Sequence, residues 1–249
     1  MFITSRENLQ IKLAVQLRES AKARREHSLF FLEGYRLCAD AIESGFAPQA
    51  LYVTETAREK YTIEGENITL IAEHVAQKLA DTQSPQGVFG VFGQNLSPCE
   101  NHPIAEGNYL ALENLQDPAN LGAIARTAEA LGLDGLIASG GCDVHHPKAL
   151  RASMGALLRL PVVQVDNLPT WLRESKLISY AAVLCEDAMV LPCCDFTQGC
   201  VVAIGNEGNG LTDEAVAACT HKLTIPMTGK AESLNAAAAA TIFMWEMVK

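Results

Sequence analysis

No apolar run in this 249-residue chain approaches the ~20 residues that a membrane-spanning helix needs. Met1 to Arg6 lacks the long apolar stretch of a secretory signal. The eight cysteines are scattered, form no Cys-x-x-Cys pair, and include the adjacent Cys193 and Cys194. Adjacent cysteines serve poorly as a zinc pair, and an α/β chain with 49% hydrophobic residues can build a core without disulfides. They read as small buried hydrophobes in a reducing cytoplasm. His145-His146 has no further ligands at usable spacing, so no metal is expected. Positive charge is scarce: 19 Lys and Arg against 29 Asp and Glu leave a net charge of −10. That argues against broad, nonspecific nucleic-acid binding.

The positive charge present is unevenly spread. Residues 1–60 carry nine Lys and Arg against eight Asp and Glu, whereas residues 106–249 carry nine against sixteen. A helix is predicted over Ile11–Arg25, where spacings of four and seven put Arg18, Lys22 and Arg25 on one face. That face is either an RNA contact or a solvated surface partly neutralised by Glu19 and Glu26. Strands follow at Phe30–Glu33, Ala50–Thr54, Ile68–Ile71 and Gly87–Phe92, with helices at Gly34–Ser44 and His74–Leu79. Residues 1–95 thus read as a small α/β domain. A stretch rich in turn formers, Gln94 to Pro103, marks a linker placed at residues 96–105.

Beyond it, residues 106–249 alternate strand and helix. Strands are predicted near 109–113, 135–138, 161–165, 178–184, 200–205 and 222–226. Helices are predicted near 119–132, 147–158, 168–175, 212–219 and 233–248. Such alternation predicts a mostly parallel sheet with helices on both faces. Three strand-turn-helix junctions carry polar residues at the turn. The first is Leu112 to Thr127, where Asp117-Pro118 caps and opens a helix and places Asn120 and Arg126 at the carboxyl end of a strand. Ligands bind there in open α/β sheets. Arg126 either holds a phosphate or carboxylate through its planar fork or is an ordinary solvated helix residue. The second is Cys200 to Thr212, an apolar strand entering a glycine-rich turn. The third is Lys222 to Ala236, a strand and loop leading to a helix that opens at Ser233-Leu-Asn235.

In order and spacing, N-L-G-A-I-A-R-T, I-G-N-E-G-N-G-L and I-P-M…S-L-N-A resemble the three signature motifs of the SpoU/TrmH family of RNA 2′-O-ribose methyltransferases, within the SPOUT superfamily. Lys148 to Gly155 is also similar to that family, whereas Ala237 stands where the family often has a second serine. Phe31 to Ala41 resembles a segment of the ribosomal-protein-like RNA-binding domain that precedes the catalytic domain in many of these enzymes. The resemblance implies a C-terminal trefoil knot, S-adenosylmethionine as methyl donor, an RNA substrate, with ribosomal RNA favoured over transfer RNA, and a homodimer through the C-terminal domain. It implies catalytic roles for Asn120, Arg126, Glu207, Ser233 and Asn235, and cofactor contacts at Ile204, Gly205, Ile225, Met227 and Leu234.

Methyl transfer to a ribose hydroxyl needs collinear reactants, and orientation alone can be worth roughly 7–11 kcal/mol. The family's motif-one arginine is usually assigned as the activating group, which falls on Arg126. A guanidinium that titrates only above about 12 is a poor base, so an electrostatic and phosphate-holding role is expected. Asn120 is expected to fix the arginine or the ribose. Glu207 is expected to organise its own turn by accepting backbone N–H groups, and Ser233 either acts in the site or caps the helix. Gly205 is read as permitting close approach of the cofactor. A noncatalytic RNA-binding protein with the same fold is the alternative. A Rossmann-type nucleotide-binding enzyme is weaker still, since the glycines of Gly205–Gly210 have the wrong spacing for that fingerprint.

Overall fold

The computed structural model describes residues 2–63, 68–94, 104–191, 194 and 196–249. Residues 96–103 of the expected linker and Cys193 therefore lie outside the described residues. In chain order the first elements are β1 (Phe2–Ile3), α1 (Leu9–Glu19), α2 (Ala21–His27), β2 (Leu29–Glu33), α3 (Tyr35–Glu43), β3 (Pro48–Val53), α4 (Glu55–Tyr61), β4 (Ile68–Ile71), α5 (Glu73–Leu79) and β5 (Val88–Gly93). The strands form a mixed five-stranded sheet in the order β1-β4-β3-β5-β2, with β5 antiparallel to both its neighbours. Alternation in β2 and β5 sends Phe31, Phe89 and Val91 into a core with α1 and α5. Phe30, Leu32 and Phe92 pack into a second core on the other face.

The helix predicted over 11–25 is broken. Ser20 takes extended backbone angles (φ −124°, ψ 116°) and its hydroxyl accepts from the Ala23 N–H, capping α2. Arg18 and Lys22 therefore lie on different helices, and the expected basic face does not form. Arg18 is instead nearly buried, its side chain 13% exposed, and its Nη1 donates to the carbonyls of Lys78, Leu79 and Ala80 at 3.1, 2.9 and 2.6 Å. Those are the free carbonyls at the end of α5. Arg24, buried as well, does the same for α1 through the carbonyls of Leu17 and Arg18. Lys22 and Arg25 remain exposed.

The remaining elements are β6 (Asn108–Glu113), α6 (Pro118–Leu131), β7 (Gly135–Ser139), α7 (Pro147–Ala152), α8 (Ala156–Arg159), β8 (Val162–Gln164), α9 (Leu168–Glu174), β9 (Ile178–Ala182), β10 (Met189–Val190), β11 (Cys200–Ile204), α10 (Asp213–Ala218), β12 (His221–Thr224) and α11 (Ala236–Val248). The helix predicted over 147–158 splits at Ser153–Gly155, where Met154 (φ 50°) and Gly155 (φ 86°) are left-handed. The short β1, β10 and α4 carry no periodic signal of their own and were not expected. Strands β6 to β12 form a seven-stranded sheet in the order β10-β12-β9-β11-β6-β7-β8, with every pairing parallel. Its middle strand is apolar throughout: all five residues of β11 are buried, as expected for a sheet covered on both faces.

The chain divides into two compact units. One comprises residues 1–96 with 145–158, the other 97–144 with 159–249. Segment 145–158 thus belongs with the first unit, where Leu150 and Leu158 join the core around Phe30 and Leu32. His145 there packs beside Phe30 at 4.9 Å, and His146 caps α7, accepting from the Lys148 N–H. Among the described residues no helix is long and apolar enough to cross a membrane, and no cluster of His, Cys, Asp or Glu could hold a metal ion. Cys38 and Cys200 are buried, while Cys142, Cys185, Cys194 and Cys219 are half-buried.

Candidate active site

In the second unit, β6 and β11 are neighbours, yet β6 connects through α6 toward β7 and β11 connects through α10 toward β12. Connections leaving in opposite directions open a crevice at the carboxyl ends of the strands. Three loops meet there. Asp117 caps α6 by accepting from the Ala119 N–H at 3.0 Å, with Pro118 at the first helical position. This fixes Asn120 on the first turn.

The turn after β11 is closed by a pair of backbone hydrogen bonds between Asn206 and Gly210, 3.0 and 2.9 Å. Gly210 is left-handed (φ 69°). Gly205 has a different reason from the one expected: a Cβ there would lie 2.0 Å from the Gly210 carbonyl carbon. Its missing side chain makes room for the turn's own backbone. Asn206, which sequence reasoning passed over, organises this turn. Its Oδ1 accepts from the N–H groups of Gly208 (2.9 Å) and Asn209 (3.1 Å), and its Nδ2 donates to the Asn114 carbonyl at 3.0 Å. The signal was available, since a short amide side chain satisfying N–H groups two and three residues on is an Asx turn.

Glu207 does not organise its own turn. It crosses to the first loop, where Oε2 accepts from the Gln116 N–H (3.0 Å) and Oε1 from the Asp117 N–H (3.0 Å) and from Asn120 Nδ2 (3.0 Å). Burial alone would push its carboxyl up, but the hydrogen bonds from Gln116, Asn120 and Asp117 outweigh that and hold it below its ordinary value of 4.5.

The third loop joins through Asn235. The helix opens at Ala236, not at Ser233, and Asn235 is its cap, with Oδ1 accepting from the N–H groups of Ala237 (2.9 Å) and Ala238 (3.3 Å). Ser233 lies upstream of the cap and does not serve as one. Asn235 Nδ2 donates to Asn120 Oδ1 at 3.1 Å. Asn120 therefore bridges Glu207 and Asn235. Of the two roles expected of it, fixing the arginine or the ribose, the first is not seen: it makes no hydrogen bond to Arg126 among the described residues. Arg126 stands apart: it is exposed on α6 and has no hydrogen-bond or ion-pair partner among the described residues.

Beside this network lies a cleft of about 400 Å³, a size typical of small-ligand sites. Ile204, Gly205, Ile225, Met227 and Leu234 all line it, as do Ser233 and Glu207. Arg126 and Asn120 do not. The walls are mainly apolar, and Leu234 is 38% exposed. No cysteine offers a thiolate nucleophile among those shifted by burial: Cys142 and Cys219 are pushed up to about 11 and Cys200 to about 12.

Residues 107–245, which contain all three loops, match the SpoU rRNA Methylase family. The chain belongs to that family. Residues 8–90 match the MRM3-like substrate binding domain. A relative, the 23S rRNA (uridine(2479)-2′-O)-methyltransferase of Streptomyces viridochromogenes, is 31% identical over 88% of this chain and 82% of its own. An uncharacterized tRNA/rRNA methyltransferase of Synechocystis is 32% identical over 98% and 92%. Among solved structures, the AdoMet-bound rRNA methyltransferase of Sinorhizobium meliloti superposes with a TM-score of 0.88 at 29% identity, covering 99% of this chain and 97% of that one. The SpoU family assignment and the three-loop crevice thus fall on the same residues.

Proposed function

We propose that this chain transfers a methyl group from S-adenosylmethionine to a ribose 2′-hydroxyl of structured RNA, ribosomal RNA before transfer RNA. The observation that carries this reading is the convergence of three loops, linked by Glu207, Asn120 and Asn235, beside an apolar cleft of about 400 Å³. The cleft suits an adenosyl group: Ile204, Ile225 and Leu234 offer apolar walls, and the turn 205–210 brings main-chain groups to its edge. When bound, S-adenosylmethionine supplies an electrophilic methyl group ready for in-line displacement. The chain's own task is orientation.

Glu207 and Asn120 hold the glycine-rich turn against the first loop, so the cleft keeps its shape. Asn235 adds the start of α11 to the same frame. Ser233, exposed at the cleft edge, has a hydroxyl placed to hydrogen-bond a ligand. Arg126, without a partner among the described residues, is available for a substrate phosphate and for the charge that develops on the ribose oxygen. As a permanent cation it positions rather than abstracts, and the proton leaves to phosphate or water.

Three further readings rest on the resemblance. The first is a homodimer through α11, whose exposed Ile242, Trp245 and Val248 form an apolar face on a helix that packs against α6. The second is a trefoil knot, supported by the return of α11 from β12 to pack on β6, β11 and α6. An experimental trace that reduces to an unknotted curve would overturn it. The third is a division of labour in which residues 1–95 hold RNA and residues 106–249 carry the transfer, in the cytoplasm where that RNA is matured. Recovery of the chain away from RNA-containing fractions would count against that location.

Calorimetry with S-adenosylmethionine tests the whole reading, with saturable heat expected at micromolar to millimolar donor. Absence of heat at millimolar donor favours a noncatalytic RNA-binding protein. With binding established, labelled methyl transfer to ribosomal RNA should fall at least tenfold in Arg126→Lys, because a point charge cannot replace the guanidinium fork. Parent-like turnover would remove Arg126 from the site.

A further inference from the structure

We propose that a second cleft, in the N-terminal unit, receives an unpaired nucleotide of the substrate RNA. The base lies between Leu37 and Met154, and the phosphate lies on Arg36 and Arg151. The identity of the ligand as RNA rests on the methyltransferase reading above; the cleft does not.

This cleft has a volume of about 350 Å³, and every residue lining it belongs to the first unit. Its walls are mostly apolar. Met154 is 43% exposed although it is large and apolar, and its left-handed backbone (φ 50°) holds it at the break between α7 and α8. Leu37 and Met154 supply the apolar side chains of the cleft, with Arg36, Asp40, Gln86 and Arg151 among its polar ones; apolar surface bordered by hydrogen-bonding groups is what an unstacked base requires.

The rim carries two arginines in different states. Arg36, exposed on the first turn of α3, has no partner among the described residues. Arg151 is anchored on one side, with Nη2 2.6 Å from Asp81 Oδ2. Its Nη1 is buried and donates to no acceptor among the described residues. A buried guanidinium N–H without an acceptor is uncommon and costly, and a phosphate oxygen would satisfy it. Gln86 uses Oε1 to accept from the Tyr35 N–H at 2.9 Å, which leaves its Nε2 donors without a partner among the described residues. Glu33 at the floor has both oxygens engaged, by the Asp81 N–H at 2.8 Å and by the Thr82 hydroxyl.

A second observation lies next to the mouth. Tyr35, 38% exposed, stacks on Tyr61 with ring centroids 4.5 Å apart and planes within 5°. Lys60 Nζ sits 5.1 Å from the Tyr61 centroid. Tyr61 is half-buried against the core, so the exposed Tyr35 ring is backed by a fixed one, and such a stacked pair with an adjacent ammonium is a platform for a neighbouring base. In a chain of net charge −10, whose Arg18 is engaged in capping α5, this arrangement offers a local RNA contact.

The test uses the full chain and deproteinised total ribosomal RNA. Ultraviolet crosslinking followed by peptide mass spectrometry should place nucleotide adducts on the segments around Tyr35 and Met154; adducts found only elsewhere overturn the proposal. Arg36→Glu, at an exposed site that leaves the core intact, should weaken ribosomal RNA binding at least tenfold. S-adenosylmethionine affinity should stay within twofold of the parent. RNA affinity within twofold of the parent also overturns it. The two readings fail separately: donor binding with RNA affinity indifferent to Arg36 sinks this cleft alone. RNA affinity that depends on Arg36 without donor binding sinks methyl transfer alone.

Discussion

Asn120 and Glu207 stand 87 positions apart in sequence and 3.0 Å apart in space, amide Nδ2 to carboxylate Oε1. The same asparagine accepts from Asn235 through Oδ1. Only a side chain with both a donor and an acceptor can make this bridge, which is why an amide stands between a carboxylate and a second amide.

Asn120→Asp should therefore be worse than a simple deletion. It removes the donor that Glu207 needs and sets two carboxylates against each other. Hydrogen bonds to a charged group are worth about 1.5–3 kcal/mol, so single-turnover methyl transfer should fall by roughly ten- to hundredfold. A parent-like rate would exclude the bridge from the mechanism.

Acid should dismantle the same frame. The Glu207 carboxyl is held below its ordinary 4.5 when folded, so its hydrogen bonds support the fold and the cleft above that pH. They are lost as pH falls through the depressed folded value. Donor affinity should stay flat from neutral pH down to about 4.5 and drop below it. Glu207→Gln should remove that acidic drop. An unchanged profile in the variant would assign the drop to another group.

Gly205→Ala probes the turn rather than the ligand. The added methyl would meet the Gly210–Leu211 backbone at 2.0 to 2.2 Å, and backbone cannot step aside cheaply. A loss of about 1–3 kcal/mol or more should appear as a lower Tm together with weakened donor binding. Weakened binding at full stability would point instead to direct contact with the donor.

Arg18→Met separates structure from RNA contact. It leaves the carbonyls at the end of α5 without their guanidinium donor, and the expected result is a destabilisation of about 1–3 kcal/mol read by denaturant unfolding. Ribosomal RNA affinity should change less than twofold. The opposite pattern would restore the N-terminal basic face as a binding surface.

Trp245→Glu tests association. The indole is 57% exposed on α11, so a charge there should leave folding intact. Sedimentation should shift from dimer toward monomer, and an unchanged dimer would place the interface elsewhere.

Long periodic segments were legible in the sequence. The helix over Pro118–Leu131 announced itself through Asp117 and Pro118, and the buried run of β11 through five apolar residues in a row. The short α4 and the break at Ser20 were not, because a serine inside a helical pattern carries no mark that distinguishes a cap from a solvated position until Arg18 is seen to turn toward α5. In the site, the residue types were readable but not their partners. Nothing local says that Glu207 satisfies N–H groups from a loop 91 residues away, or that Gly205 yields space to backbone. Those are tertiary facts, fixed when β6 and β11 become neighbours.

Segment 145–158 is entered from the second unit and left back into it, while its own apolar side chains complete the first unit's interior. A cut anywhere in the 96–105 connection would strip Leu150 and Leu158 from around Phe30 and Leu32. It would also take away Arg151, the anchored wall of the N-terminal cleft. Neither half of this protein can be exchanged between relatives as a cassette ending at that connection; a working chimera has to carry the interior segment along with the first ninety-odd residues it shelters.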